Sequence, residues 1–203
     1  GRAPALARTE PFFDPSVDPL TEKAVRRGDE WLFASFEGKV HAVDVSGPEL
    51  RFAEPWSLFD DAERAASWRV GGNQHLAVHA ASGRLYALVH QGPPDTHKDG
   101  GREVWVYDLA QKKRVQRIEL ANPLEALVRQ QMGAPRAGAV AWLLGALLPN
   151  PGLGMILVTQ DEAPVLVAVG EGPATALVHD ARTGALLGEV SEAGIAASLL
   201  FAP

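Results

Sequence analysis

No cysteine occurs among the 203 residues. That excludes disulfides, thiolate metal sites and cysteine nucleophiles, although it leaves the compartment open, because exported proteins also do without cysteine. Positive charge is not in excess either. Lys and Arg number 19 against 25 Asp and Glu, for a net charge of −6, so nothing attracts a polyanion and nucleic acid is not an expected partner. Long apolar runs are missing too. The most apolar stretch, AGAVAWLLGALL at 137–148, is shorter than the roughly 20 residues that cross a bilayer, so no membrane span is expected. The opening GRAPALARTEPFFDP has no apolar core of the kind a secretory leader carries.

Glycine and proline are plentiful, at 20 and 15 residues, which suits a fold with many turns. After a proline-rich extended segment at 1–19, apolar and polar residues alternate as they do in half-buried strands. EWLFASF (30–36), VHAVDV (40–45) and ELRF (49–52) form a meander. HLAVH (75–79), RLYALVH (84–90), 103–108 and 114–120 form a second unit. MILVTQ (155–160), PVLVAVG (164–170), TALVHD (175–180) and ALLGEV (185–190) form a third, with GIAASLLFAP left over at 194–203. Each unit contains a strand that ends on an aspartate and leads through a polar turn to a last strand: Asp44, Asp108 and Asp180. Aspartate favours such corners because its carboxylate accepts nearby backbone N–H groups.

Repeated four-stranded antiparallel units are the mark of a β-propeller, and the expected fold is all-β, with blade-like units at 20–52, 73–120 and 155–192. A β-sandwich with similar hairpins is the alternative that this pattern leaves open. Two stretches interrupt the strands. PWSLFDDAERAASWR (55–69) reads as a short helix, with Ser57–Asp60 or Asp60–Glu63 as its capping box and Gly71–Gly72 as its end. Residues 124–132 and 137–148 read as two further short helices in a helical insertion over about 124–154, burying Trp142, Leu143, Leu144 and Leu147.

Candidate chemistry is sparse. His75 and His79 are four apart, but on a strand that spacing separates them by about 13 Å, too far to share one ion, and structural roles fit better. His97 and Lys98, with Asp95 and Asp99, crowd one loop that reads as solvated or subunit-facing. GEGPAT (170–175) has no following helix and so no phosphate cradle. Trp56, Phe59 and Trp68 surround the acidic helix, either as a recognition surface or as pins that hold the insert to the core.

The pattern becomes specific at 55–90 and 96–118. Pro55–Trp56, the acidic helix, Trp68, Gly71–Gly72, HAASGRLY at 79–86, His97–Lys98 and VWVYDLAQKKRV at 104–115 resemble the large subunit of the quinoprotein amine dehydrogenases, of the methylamine or the aromatic-amine type. EPFFDPSVDPL (10–20) and VTQDEAPVLVAV (158–169) fit as well, whereas 128–156 departs from the pattern. The resemblance implies a seven-bladed propeller, of which this chain would be the C-terminal part, about three blades. It implies a periplasmic hetero-oligomer that oxidises a primary amine to aldehyde and ammonium and passes electrons to a blue-copper protein. The catalytic base and the tryptophan tryptophylquinone cofactor would sit in a small partner subunit, so this chain would hold no catalytic residue, cofactor or metal. Its interface with that subunit would fall on Trp56, Trp68, Arg69, Gly71, Gly72, His97 and Lys98. A propeller-type interaction module and a stand-alone propeller hydrolase are the rival readings.

Overall fold

The computed structural model describes residues 20–72, 75–94, 96, 99–120, 153–170 and 175–191. The chain enters through strand β1 (Leu20–Arg27) and continues as β2 (Glu30–Ser35), β3 (Lys39–Asp44), β4 (Arg51–Phe52) and β5 (Trp56–Ser57). Helix α1 (Asp61–Ala65) follows, then β6 (Trp68–Val70), β7 (Leu76–His79), β8 (Arg84–Gln91), β9 (Glu103–Asp108) and β10 (Lys113–Glu119). The last four strands are β11 (Leu153–Val158), β12 (Val165–Gly170), β13 (Thr175–Asp180) and β14 (Leu186–Ser191). The described protein is therefore nearly all-β, with one short helix. No helix among the described residues is long and apolar enough to cross a membrane.

The strands form three antiparallel sheets in series. The first runs β1-β2-β3-β4, with β5 also on β3; the second runs β10-β9-β8-β6, with β7 also on β8; the third runs β11-β12-β13-β14. In the second sheet, β6 and β7 pair with the two ends of β8 and act as one interrupted first strand. β7 lies beside β1 on one side and β11 on the other, so the first strands of the three sheets gather at one edge. The last strands, β10 and β14, are mostly exposed.

Alternation along the strands gives the second sheet two apolar faces, because Trp105 and Tyr107 point one way and Val104 and Val106 the other. The first face packs with Leu32, Ala34, Val40 and Ala42 of the first sheet. The second packs with Ile156, Leu166, Ala168 and Leu177 of the third. The middle sheet is thus buried on both sides.

The three corner aspartates occupy equivalent positions. Each ends the third strand of its sheet, taking β6 and β7 together as one, and accepts backbone N–H groups of the turn that follows. Asp44 Oδ1 takes the N–H of Ser46 at 2.8 Å, Asp108 Oδ1 that of Gln111 at 2.9 Å, and Asp180 Oδ1 those of Arg182 at 2.8 Å and Thr183 at 3.0 Å. These backbone donors hold all three carboxyls below the usual aspartate range.

Several elements differ from the sequence-based expectation. β1, β5 and β6 had no counterpart, so the first sheet extends to Ser57 and the second starts at Trp68. Asp60 caps the helix in a box with Glu63, whereas Ser57 belongs to β5 and its hydroxyl donates to the carbonyl of Phe59. The helix ends at Ala66, not at the glycine pair, because Ser67 takes up a left-handed conformation with φ 63°. Gly71 and Gly72 instead occupy the gap between β6 and β7. A Cβ on Gly72, whose φ is +92°, would stand 2.5 Å from the carbonyl oxygen of Gly154, so the third sheet approaches too closely there for a side chain. Gly154 and Leu153 belong to β11 and not to a helical insertion. Residues 121–152, which hold the two expected helices, and the leftover segment at 194–203 lie outside the described residues.

Candidate functional site

The densest constellation of aromatic and charged groups lies where the first two sheets meet helix α1. Its centre is Trp105, fully buried on β9. Phe59 meets it edge-on with ring centroids 5.3 Å apart, and Trp68 lies at 4.8 Å with a 45° tilt. The Arg114 guanidinium stands 4.1 Å above the Trp105 ring and that of Arg117 4.9 Å above it, while Arg117 also covers Trp68 at 5.3 Å. A cation over an indole face is worth roughly 0.5 to 2 kcal/mol, more as water is excluded.

A β-bulge brings the two arginines together. Positions 114 and 117 would face opposite sides of a regular strand. The register of β10 on β9 shifts between Arg114 and Gln116, so that Arg114 pairs with Tyr107 and Arg117 with Trp105. The residue squeezed out, Val115, is 49% exposed. Both arginines are then fixed by carboxylates. Arg117 binds Glu103 through Nε at 2.8 Å and Nη2 at 2.9 Å, and Glu103 also accepts the Trp105 indole N–H at 2.7 Å. Arg114 pairs with Glu63, the same residue that closes the capping box of α1. The helix is thereby stitched to the outermost strand of the second sheet.

Tyr107, beside Trp105 on the same face of the sheet, donates its hydroxyl to the carbonyl of Leu58 at 2.8 Å and packs on Trp56 at 5.6 Å. Burial raises the Tyr107 phenol far above its ordinary pKa.

Of the residues that the sequence marked as a subunit interface, Trp56, Trp68 and Arg69 belong to this region. Trp56 and Trp68 are half-buried against Tyr107 and Trp105. Arg69 pairs with Glu37 of the first sheet and donates to the carbonyl of Gly92 at 2.9 Å. Gly71 is buried under His90, and Gly72 lies against Gly154. His97 and Lys98 lie outside the described residues. The sequence reading missed Trp105, Glu103, Arg114 and Arg117. The signal was present in the aromatic pair at 105 and 107, opposite two arginines across a hairpin, but only the bulge puts both arginines on that face.

Five histidines, His41, His75, His79, His90 and His179, are buried. Among the described residues, no group of three histidines, aspartates or glutamates could hold a metal ion. His79 bridges two sheets. Its Nε2 faces the Asp161 carbonyl at 3.1 Å and so must carry the proton, leaving Nδ1 to accept from the Ser82 hydroxyl at 2.7 Å. Gln160 reinforces the same seam, donating to the carbonyl of Val78 at 2.7 Å and accepting the Ala80 N–H at 3.0 Å. The His75 ring meets the Gly72 carbonyl at 3.4 Å, and burial pulls its pKa down to about 4.

Beside this seam a cleft of about 430 Å³ opens between the second and third sheets. Tyr86 and Val106 line it, with Ser82, Arg84, Glu162 and Arg182 around them. The Tyr86 hydroxyl is committed to the Ala181 carbonyl at 3.2 Å, and Arg84 to Asp108 at 2.7 Å. The cleft has the size of a small-ligand site. Around Trp105, and at Tyr86 and Arg84 in the cleft, the polar groups are engaged with neighbouring groups of the chain, an arrangement that suits a rigid scaffold.

Comparison with known proteins gives a consistent outcome. Residues 13–143 match the family model described as methylamine dehydrogenase heavy chain. The match reaches into 128–143, part of the stretch that the sequence reading had set apart. The methylamine dehydrogenase heavy chain of Methylophilus methylotrophus is 32% identical over 167 residues, 82% of this chain and 34% of that protein. The heavy chain of Methylobacillus flagellatus is 29% identical over 168 residues, 83% of this chain and 35% of that one. The chain therefore spans about a third of the length of the curated relatives it matches. Among solved structures, a europium-containing methanol dehydrogenase aligns over 86% of this chain and 26% of its own, at 13% identity and a TM-score of 0.45.

Proposed function

The chain belongs to the methylamine dehydrogenase heavy chain family, and from that membership we propose that it serves as a large, non-catalytic subunit of a quinoprotein amine dehydrogenase. The observation that carries the reading is the match of residues 13–143 to the heavy chain family model. In this reading the enzyme oxidises a primary amine to aldehyde and ammonium in the periplasm. A small subunit carries the tryptophan tryptophylquinone cofactor, and a blue-copper protein takes the electrons. This chain contributes part of a propeller ring against which the small subunit docks.

In this reading the described pair Trp68 and Trp105 is not the site of the cofactor. Trp68 and Trp105 are close enough to touch, with centroids 4.8 Å apart. Yet Trp105 is fully buried, Glu103 holds its indole nitrogen, and Arg117 covers both rings. No amine could reach that pair, and no step of the reaction is assigned to it. In this reading the chain's role is positional. The Trp105 cluster and the His79–Gln160 seam lock three sheets together, and a locked surface loses little freedom when a partner binds.

Reconstitution tests the proposal. The chain, combined with the small subunit of a family member, should support amine-dependent reduction of an electron-accepting dye, with release of aldehyde and ammonium. Neither component should do so alone. Turnover by the isolated chain, or no stimulation of the small subunit by the folded chain, would contradict it.

A further inference from the structure

Asp99 is followed by Gly100, and no other aspartate or asparagine in the chain precedes a glycine. The pair lies in the loop between β8 and β9, where Asp99 is exposed. The corner aspartates are restrained twice over. Turn N–H groups hold their carboxylates. The amide that follows each is also committed: Val45 to the Asp29 carbonyl at 2.9 Å, Leu109 to that of Gly83 at 3.0 Å and Ala181 to that of Pro164 at 2.9 Å. Asp99 has neither restraint. Among the described residues no group holds its carboxylate and none accepts the Gly100 N–H. Glycine also has no Cβ to shield that nitrogen.

The loop is anchored on both sides of this one peptide. The Asp99 N–H donates to the Thr96 carbonyl at 2.9 Å. The Thr96 hydroxyl stands 3.0 Å from His90 Nε2 and donates to the Pro93 carbonyl at 2.6 Å. On the far side, the Gly101 N–H donates to the Leu153 carbonyl at 2.8 Å and the Leu153 N–H to the Gly101 carbonyl at 3.0 Å, which ties the loop to β11 of the third sheet. Space is tight there. A Cβ on Gly71 would stand 2.7 Å from the Asp99 carbonyl oxygen, and one on Gly101 2.5 Å from the Leu88 side chain.

We propose that Asp99–Gly100 is a site of spontaneous backbone modification, where aspartate converts to isoaspartate through a cyclic imide, and that the product releases the bridge between Gly101 and Leu153. The Gly100 nitrogen forms a bond to Asp99 Cγ, the bond from Cγ to its hydroxyl breaks, and the hydroxyl leaves with the amide proton as water. Water then adds to one of the two ring carbonyls. Opening at Cγ restores aspartate. Opening at the main-chain carbonyl carbon routes the chain through Cβ and Cγ and frees the α-carboxylate. One water leaves and one returns, so the conversion needs no other reactant. The product puts an extra methylene into the chain and a charged carboxylate where a carbonyl faced Gly71. The close contacts at Gly71 and Gly101 leave no place for either. The inference rests on this loop and not on the assignment to an amine dehydrogenase.

Ageing of the folded 203-residue chain near neutral pH, followed by peptide mapping, tests it. The peptide that contains Asp99 should split with time into two species of equal mass, with a transient form lighter by one water. Fragmentation should place isoaspartate at 99 ahead of every other aspartate. Asp99→Glu should abolish the new species, because its imide would need a larger ring, and Gly100→Ala should slow it severalfold. Cooperative melts establish that the chain and its variants are folded. In the aged chain the Gly101 and Leu153 amides should exchange hydrogen faster than in the fresh one, whereas aged Asp99→Glu should match its own fresh sample. A folded chain that ages without isoaspartate at 99, or that forms it equally at other aspartates, would overturn the site. Isoaspartate at 99 with unchanged exchange at both amides would overturn its effect on the bridge.

Discussion

Tyr107 Oη donates to the carbonyl oxygen of Leu58 across 2.8 Å, and through that bond the third strand of the second sheet holds the segment that leads into helix α1. Both residues are buried. Tyr107→Phe keeps the ring and its contact with Trp56 but leaves that carbonyl without its donor. The expected cost is about 1 to 3 kcal/mol, the penalty for a buried polar group left unmade. Urea denaturation of the two proteins checks it, and equal midpoints would show that water replaces the hydroxyl without loss.

The bulged arginine cluster predicts a graded series. Trp105→Ala removes the largest buried side chain of the described protein and should cost about 3 to 5 kcal/mol. Arg117→Ala removes a cation from the same ring, but its side chain is 48% exposed, so its pairing with Glu103 is worth only about 0 to 1 kcal/mol. The order of the two denaturation midpoints is the test. A larger loss for Arg117 would mean that the cation, and not the packed indole, holds the hairpin to the insert.

Two glycines with positive φ separate backbone strain from close approach. Gly28 has φ +60° and open space around it, so Gly28→Ala should cost only the left-handed penalty of about 1 to 2 kcal/mol. Gly72 has φ +92° and would in addition drive a Cβ to 2.5 Å from the Gly154 carbonyl oxygen. Gly72→Ala should therefore destabilise more than Gly28→Ala and loosen β11 against β7. Faster hydrogen exchange of the Leu153 and Gly101 amides, which bond to each other's carbonyls at 3.0 and 2.8 Å, would report that loosening. Unchanged exchange would place the strain elsewhere.

His75 sets an acid limit on stability. Its pKa is about 4 in the folded chain against an ordinary 6.5, because burial disfavours the imidazolium. Above pH 6.5 the ring is neutral in both states and contributes no pH dependence. As pH falls from 6.5 to 4 the unfolded chain takes up a proton that the folded chain refuses, so stability declines, by about 3 kcal/mol in all. The corner aspartates act in a different window. Their folded pKa values lie below the ordinary 3.8, so their contribution is fully present above that value and is lost only in stronger acid, as pH falls through the folded values. Denaturation at pH 7, 5.5 and 4.5 should show the His75 decline, and His75→Gln should flatten it. A flat wild-type profile across that window would contradict the assignment.

The parts of the fold that could be read from the sequence are those where one residue type has one local job. β9 and β13 begin and end where the alternation does, and the aspartate that closes each is bound to its own turn, as Asp108 is to Gln111. β6 could not be read, because Trp68, Arg69 and Val70 continue a helical sequence and only the left-handed Ser67 breaks it. β1 was hidden by its charged residues. The arginine cluster depended on a register shift that no local pattern announces. Gly71 and Gly72 were singled out as the stop of a helix and as part of a subunit interface; the helix stops earlier, and His90 and Gly154 approach the pair too closely for a side chain, which no local pattern announces.

Binding of the small subunit is the most direct measure of the account. Titration of a family member's quinone-bearing subunit onto the folded 203-residue chain, followed by calorimetry or surface resonance, should give saturable association with one small subunit per site. A chain that melts cooperatively yet shows no saturable binding would contradict its role as the docking subunit.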